Sequence, residues 1–342
     1  MTQVIEIPDW PRVYGGPAGR GKIRTVPEDF IVDEHLSFEP AGTGEHVFLR
    51  VEKKDENTEY VARQLARFAD VRQRDVGYAG LKDRHAVTTQ WFSVWLPGRD
   101  DPDWAQFESD NVKVLEAVRH ARKLKRGALS GNSFRIVVRE WQGDREKTVA
   151  RLESIKADGI ANYFGPQRFG HEGRNVSKAL ALFQGMKVKR EQRGIYLSAA
   201  RSYLFNQILS DRVTRQTWNQ AVAGDTYVFD LSHSCFKSDL PDPDIIRRLQ
   251  AKEIHPTGAL WGKGEPGTAA DALAIEQAIA GQYQDLAQGL VNADVESDRR
   301  AFRVNVRQLH WQFIGDQALA LSFTLPAGSY ATAVLREIIE EV

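Results

Sequence analysis

Four ionisable side chains follow one another at Lys82, Asp83, Arg84 and His85, inside the stretch YAGLKDRHAVTTQWFSVWL. Gly80 precedes them, and a Thr-rich, then aromatic, run follows. Asp83 stands between two cations, which favour its ionised form at short range. A carboxylate held ionised in a pocket can act as a nucleophile at a sugar C1′, or as a base toward a carbon-bound proton. The same four residues also fit an exposed turn, with local ion pairs worth ~0–1 kcal/mol each. His85 has no second ligand at helical spacing, so a structural role suits it better than a metal. Thr88 and Gln90 alternate at the start of the following strand, where they would either hydrogen-bond a ligand or satisfy backbone.

A second group of residues has the chemistry of nucleotide recognition. RHARKLKRG carries Arg119, Arg122, Lys123, Lys125 and Arg126 with no acid, and GNSFRI follows with Gly131, Asn132 and Phe134. Cations for phosphate, an amide for a base edge and an aromatic for stacking would together form a nucleotide cradle. The plainer alternative is a solvated loop followed by a turn with a core phenylalanine. NYFGPQRFGHEGRN combines three aromatics with Arg168 and Arg174, which suits either RNA contact or a packed corner. In PEDFIVDE, Phe30 and Val32 fall on one face of a strand and read as core. Nucleotide-triphosphate engines, hydrolase triads and zinc proteases are disfavoured, because no GxxxxGK[ST], strand-linked GxGxxG, GxSxG or HExxH is present.

These residues need elements to hold them. HVFLRVE reads as a strand with Val47, Leu49 and Val51 on one side, and Asn57 or Thr58 then caps a helix whose apolar face is Val61, Leu65 and Phe68. QWFSVWL and SFRIVVRE are further strands, separated by the turn-rich PGRDDPD. From about 147 to 215 the spacing is helical, with Gly159 placed to end the first helix. Prolines break up 224–270, and helices return at 270–293. QLHWQFIG and QALALSFTLP form a hairpin about GDQ, and a closing helix has Ser329 as its cap and Val334, Leu335 and Ile338 inward. A lone hairpin is marginal in water, so it should join the N-terminal strands. The result is an α+β chain in which one sheet domain is interrupted by an insertion.

With 342 residues there is room for two domains, and 42% hydrophobic with 27% charged residues is ordinary globular composition. The net charge of +0 does not exclude a nucleic-acid partner, which needs only a local basic stripe. KVKREQRG is a second such cluster, while acids gather elsewhere, as in DEHLSFEP. The single cysteine, Cys235, excludes an internal disulfide and makes a thiolate zinc site a poor reading. A cytoplasmic protein without membrane contact is expected.

GLKDRHAVTTQWFSV resembles the signature of the tRNA pseudouridine synthase D (TruD) family, close to G-x-K-D-[RK]-x-A-x-T-x-Q. VPEDFIVDE, KLKRGALSGNSFRI, NYFGPQRFG, LSAARSYLFNQIL and LPAGSYATAVLREI resemble the family's other motifs, in the same order. The resemblance weakens only around 215–300. It implies an enzyme that isomerises uridine in tRNA, typically at position 13, to pseudouridine with no metal or other cofactor, acting as a monomer. It also implies a pseudouridine synthase core at 1–157 and 305–342, with a mixed, mainly antiparallel sheet flanked by helices, and an inserted TRUD domain at 158–304.

The family's catalytic aspartate falls on Asp83, and its substrate positions on Phe30, Asn132 and Tyr330. Phe134, Arg24 and Lys82 join them as candidates: Phe134 for stacking, Arg24 or Lys82 to hold Asp83 ionised. Arg122, Lys123, Lys125, Arg126 and Arg168 are the RNA-contact candidates. Two positions depart from the family's usual pattern. Tyr330 stands where Phe is common, so its hydroxyl needs a partner, and Arg24 stands where Lys is common. A tRNA-binding or chaperone protein that has lost activity is the alternative, and intact Asp83 argues against it. A carboxylate glycosidase would need a second acid ~5–9 Å away, and none is evident beside Asp83.

Overall fold

The structure is a computed structural model that describes residues 5–342. They form two compact units. The sheet unit comprises Gly19–Asp144, Val306–Gly328 and Glu340–Val342, and the helical unit takes 5–18, Arg145–Asn305 and Ser329–Ile339.

In the sheet unit the strands are β1 (Gly19–Lys22), β2 (Phe30–Leu36), β3 (His46–Lys54), β4 (Val76–Tyr78), β5 (Val87–Trp95), β6 (Val112–His120) and β7 (Leu129–Gly143). Helix α1 (Thr58–Phe68) lies between β3 and β4 in the chain. The C-terminal hairpin, β14 (Arg307–Ile314) and β15 (Ala318–Pro326), completes the unit. The sheet runs β14-β15-β7-β2-β5-β3-β6, with β1 on β7 and β4 on β5. β2 and β5 pair in parallel, and the other pairs along that path are antiparallel. The hairpin does join the N-terminal strands: β15 runs beside β7 from Ala318↔Arg139 to Pro326↔Gly131. The sheet is therefore mixed and mainly antiparallel, as expected.

Alternation sorts the side chains. Residues directly opposite in adjacent strands share a face, so Phe30, Val32 and Glu34 of β2 lie on one face with Ile136, Phe134 and Asn132 of β7. Thr88 and Gln90 of β5 join that face, and so do Lys53, Val51 and Leu49 of β3. Helix α1 covers part of it, burying Val61 and Leu65 against Val47, Leu49, Val51 and Phe92.

Three local expectations change. Neither Asn57 nor Thr58 caps α1 through its side chain; the Thr58 hydroxyl is used elsewhere, in the loop described below. The strand expected over SFRIVVRE starts earlier, so Gly131 and Asn132 are not a turn but part of the long strand β7 (Leu129–Gly143). The last helix, α8 (Ala331–Ile338), starts after Tyr330 rather than Ser329. Tyr330 is extended and its ring is held by other residues, so the first helical turn begins one position later than a serine cap would place it.

The helical unit holds α2 (Arg145–Asp158), α3 (Arg174–Phe183), α4 (Arg190–Thr214), α5 (Pro243–Gln250), α6 (Ala270–Gln282), α7 (Gln284–Asn292) and α8. Gly159 ends α2 in the left-handed region at φ 81°, where its N–H donates to Ile155 O. Strands β9 (Thr226–Phe229), β10 (Cys235–Lys237), β11 (Ile254–Leu260) and β12 (Asp298–Ala301) form a second sheet, and β8 (Ile160–Ala161) pairs with β13 (Arg303–Val304). The core lies around α4, whose Leu204, Phe205, Ile208 and Leu209 pack with Leu180, Leu290 and Phe302.

Candidate active site

Asp83 sits on the loop from β4 to β5, which runs over the inward face at the end of β2 and β3. Its carboxylate is about half exposed, at 48%. Arg24 donates to Asp83 Oδ2 at 3.1 Å, and the same guanidinium lies 4.0 Å over the ring of buried Phe30. That placement costs backbone strain, since Arg24 is a non-glycine residue at φ 57°. Strain of this kind persists only where surrounding contacts over-determine it.

Lys82 does not share the role. Its ammonium meets Glu34 Oε2 at 2.5 Å, and the Glu34 side chain is 0% exposed. Glu34 Oε1 accepts the Trp91 N–H at 3.1 Å, so both carboxylate oxygens are engaged inside the unit. Thr58 Oγ1 donates to Gln90 Oε1 and accepts the Lys82 N–H, while Gln90 Nε2 donates to Gly80 O. Gln90 thus serves the backbone of the loop. Arg84 Nε donates to Asp55 O, and His85 is exposed with Nδ1 3.4 Å from Asp55. The loop is tied down on both sides of Asp83, and the Asp83 carboxylate is left facing outward.

Phe134 is buried, with Phe30 edge-on at 6.3 Å and Phe323 stacked at 5.3 Å. Asn132 lies opposite Glu34 in register, and its Oδ1 is buried without a hydrogen-bond partner. Thr88 Oγ1 is a second such atom on the same face. An orphaned buried acceptor costs about 1–3 kcal/mol, so a ligand donor reaching Asn132 would recover that loss. No group of three or more His, Cys, Asp or Glu side chains that could hold a metal comes together among the described residues.

The basic stretch is braced on the segments at both ends of the loop. Gly127 N–H donates to Ala79 O at 2.8 Å, and Leu124 N–H to Ser93 Oγ at 3.0 Å. A β-carbon at Gly77 would lie 2.4 Å from Leu124 O, so glycine permits this close approach. Arg122, Lys125 and Arg126 are exposed, and Arg126 stacks 5.8 Å over Tyr78. Lys123 is half-buried and donates to Arg74 O.

Tyr330 and Arg168 belong to the helical unit. There Arg168 Nη2 donates to the Tyr330 hydroxyl at 2.7 Å and Nη1 to Ser198 Oγ at 2.9 Å. This supplies the partner that the tyrosine hydroxyl requires. Two guanidinium groups lie near the Phe164 ring, Arg168 at 5.2 Å and Arg300 at 4.0 Å, and Phe164 meets Tyr330 edge-on at 6.2 Å. Burial pulls the Arg300 pKa down to about 10.

The family model described as tRNA pseudouridine synthase D (TruD) matches residues 12–185 and 171–338. The chain belongs to the tRNA pseudouridine synthase D family. Its relatives in that family include the tRNA pseudouridine synthase D of Methylococcus capsulatus, 52% identical over 97% of this chain and 94% of the relative. The synthase of the same name from Hydrogenovibrio crunogenus is 42% identical over 99% of both. The fold agrees with the crystal structure of a Methanosarcina mazei protein proposed to be tRNA pseudouridine synthase D, with a TM-score of 0.70. That match is 23% identical and covers 98% of this chain and 96% of the other.

Glu34 and Lys53 are the two loop-holding residues that sequence reasoning passed over. A signal for both exists: each continues a period-two apolar run (Phe30, Val32, Glu34 and Val47, Leu49, Val51, Lys53) and so puts a charge where the alternation demands an inward residue.

Proposed function

We propose that the protein isomerises uridine to pseudouridine in tRNA, typically at position 13, with Asp83 as the reacting carboxylate. The observation that carries this reading is the Arg24–Asp83 pair on a braced loop, inside the family's own motif. The reaction breaks the C1′–N1 bond, turns the uracil, and forms a C1′–C5 bond, after which the C5 proton is lost to restore the ring. Asp83 serves either as nucleophile at C1′ or as the base that takes a C2′ proton to give a glycal. Arg24 aims the carboxylate through its ion pair. The uracil is kept by stacking on Phe30 or Phe134 and by an edge contact to the open acceptor of Asn132. Extruding the base from its stack costs a few kcal/mol, offset by those contacts. Within this reading residues 158–304 are the inserted domain, 1–157 with 305–342 are the synthase core, and the enzyme works in the cytoplasm as a monomer. The silent RNA-binding alternative gains nothing from the relatives, which are named as synthases.

The test is carbodiimide labelling and primer extension on tRNA incubated with the protein. A new stop at one uridine is expected, and no stop in any tRNA tried would overturn the reading. Arg24→Met removes a charge-assisted hydrogen bond worth about 1.5–3 kcal/mol, so the single-turnover rate should fall about 10- to 100-fold. An unchanged rate would show that Asp83 needs no cation.

The exposed Arg122, Lys125 and Arg126 are assigned to phosphate contact. Replacing all three by Gln should weaken tRNA binding and lower the slope of log affinity against log salt by about 2–3. A slope equal to that of the wild type would put this loop off the RNA path.

A further inference from the structure

Lys53 is the one charged residue of the inward face of β3, at 0% exposure, and no carboxylate meets it among the described residues. Its ammonium donates instead to two main-chain carbonyls, Glu56 O at 2.7 Å and Asp83 O at 3.1 Å. Glu56 follows β3 and leads into α1; Asp83 is in the β4–β5 loop. The side chain therefore staples two separate segments through one desolvated cation.

A buried ammonium is costly unless it is hydrogen-bonded, and a methionine of similar volume would fill the same space without that cost. The charge-assisted bonds it makes in return are stronger than neutral ones. One of them is on the carbonyl of the very residue whose carboxylate Arg24 holds. The other anchors of the loop act on its neighbours: Gln90 on Gly80, Thr58 and Glu34 on Lys82, and Arg84 on Asp55.

We propose that Lys53 is a positioning residue for the reaction, fixing the main chain of Asp83 so that its carboxylate is presented at one place. The inference rests on the assignment of Asp83 as the reacting group. Side-chain aim depends on both ends of the residue: Arg24 sets the carboxylate, and Lys53 sets the peptide from which it projects. Without Lys53 the aspartate keeps its ion pair but gains freedom about its own backbone. Loss of a defined attack geometry is costly even when all reacting groups remain.

The charged groups around Lys53 are Asp83 and Lys82 in the loop and Glu56 before α1. Burial is the main reason its pKa drops to about 8, with Lys82 adding to the fall and the two acids opposing it. The ammonium is thus present at neutral pH and is lost as pH rises through about 8, leaving a weaker neutral donor.

The experiment is single-turnover pseudouridine formation by wild type and Lys53→Met, between pH 6.5 and 9, with tRNA affinity measured alongside. The expected result is a rate constant lowered about 10- to 100-fold, with full reaction amplitude and affinity within about threefold. The wild-type rate should fall above about pH 8, and the low rate of Lys53→Met should lack that limb. A purely structural lysine would instead reduce the amplitude, with the surviving fraction reacting at the wild-type rate, and that outcome overturns the proposal. So does a limb at the same pH in the variant. Should Lys53→Met not yield folded protein, Lys53→Gln, whose head group falls short of both carbonyls, is measured in the same way. Wild type that forms no pseudouridine would refute the assignment of function, whereas active wild type with an equally fast variant refutes only the role of Lys53.

Discussion

Asp83→Asn is expected to abolish pseudouridine formation, with a loss of at least about 10³-fold in single-turnover rate, or about 4 kcal/mol of transition-state stabilisation. Asparagine is nearly the same size but is neither a nucleophile toward C1′ nor a base for a sugar proton. It can still accept a hydrogen bond from Arg24, so the loop geometry is retained. Because the side chain is 48% exposed, folding should change by no more than about 0.5 kcal/mol. Affinity for tRNA should hold or rise slightly, since one negative charge facing RNA is removed. Loss of activity with intact binding and melting identifies the reacting group. Activity within tenfold of the wild type would mean that another residue attacks the sugar, and the Arg24 pair would then need a different explanation.

The second large effect is on stability. Lys82→Met leaves the Glu34 carboxylate fully buried, with the Trp91 N–H as its remaining partner. Removing one partner of a buried ion pair costs about 3–5 kcal/mol, because the other charge stays desolvated. Urea unfolding followed by tryptophan fluorescence reads this, as Trp91 is buried in the same sheet. Adding Glu34→Gln to Lys82→Met should return a substantial part of the loss, since a neutral amide tolerates burial far better than an unpaired carboxylate. Arg84→Met, one step past Asp83 in the chain and exposed, serves as the control and should stay within about 0.5 kcal/mol. If Lys82→Met unfolds at the wild-type urea concentration, water reaches Glu34 and the pair is not a buried one.

These two variants make opposite use of adjacent residues. In the proposed reaction Asp83 contributes chemistry and its exposed carboxylate little to the fold, whereas the buried Lys82 pair holds the local fold. Nothing in the dipeptide itself distinguishes them. The difference comes from direction: the Lys82 side chain turns inward to β2, and the Asp83 side chain turns outward to Arg24.

Much of the sheet unit was legible from alternation. Val47, Leu49 and Val51 are inward as their period-two spacing demands, and the C-terminal hairpin joins the N-terminal strands because a lone hairpin cannot bury a face. Gly159 ends its helix where a left-handed residue is required. The ordered motifs mark the family, and Asp83 lies within its signature. Cap positions were less legible. Ser329 and Asn57 have the right chemistry, but neither side chain caps its helix; the ends were set by the tertiary roles of Tyr330 and Thr58.

The sequence by itself determined which residue types are present, which face of a strand each takes, and which carboxylate lies in the family's reactive motif. Only the tertiary structure decided which cation goes with which acid. Arg24 and Asp83 are far apart in the chain, as are Glu34 and Lys82 and the Lys53 and Asp83 that share a hydrogen bond. Periodicity fixes side-chain direction inside helices and strands, where backbone dihedrals repeat. In the loop around Asp83 they do not repeat, so the direction of each side chain is set by the partner that packing brings to it.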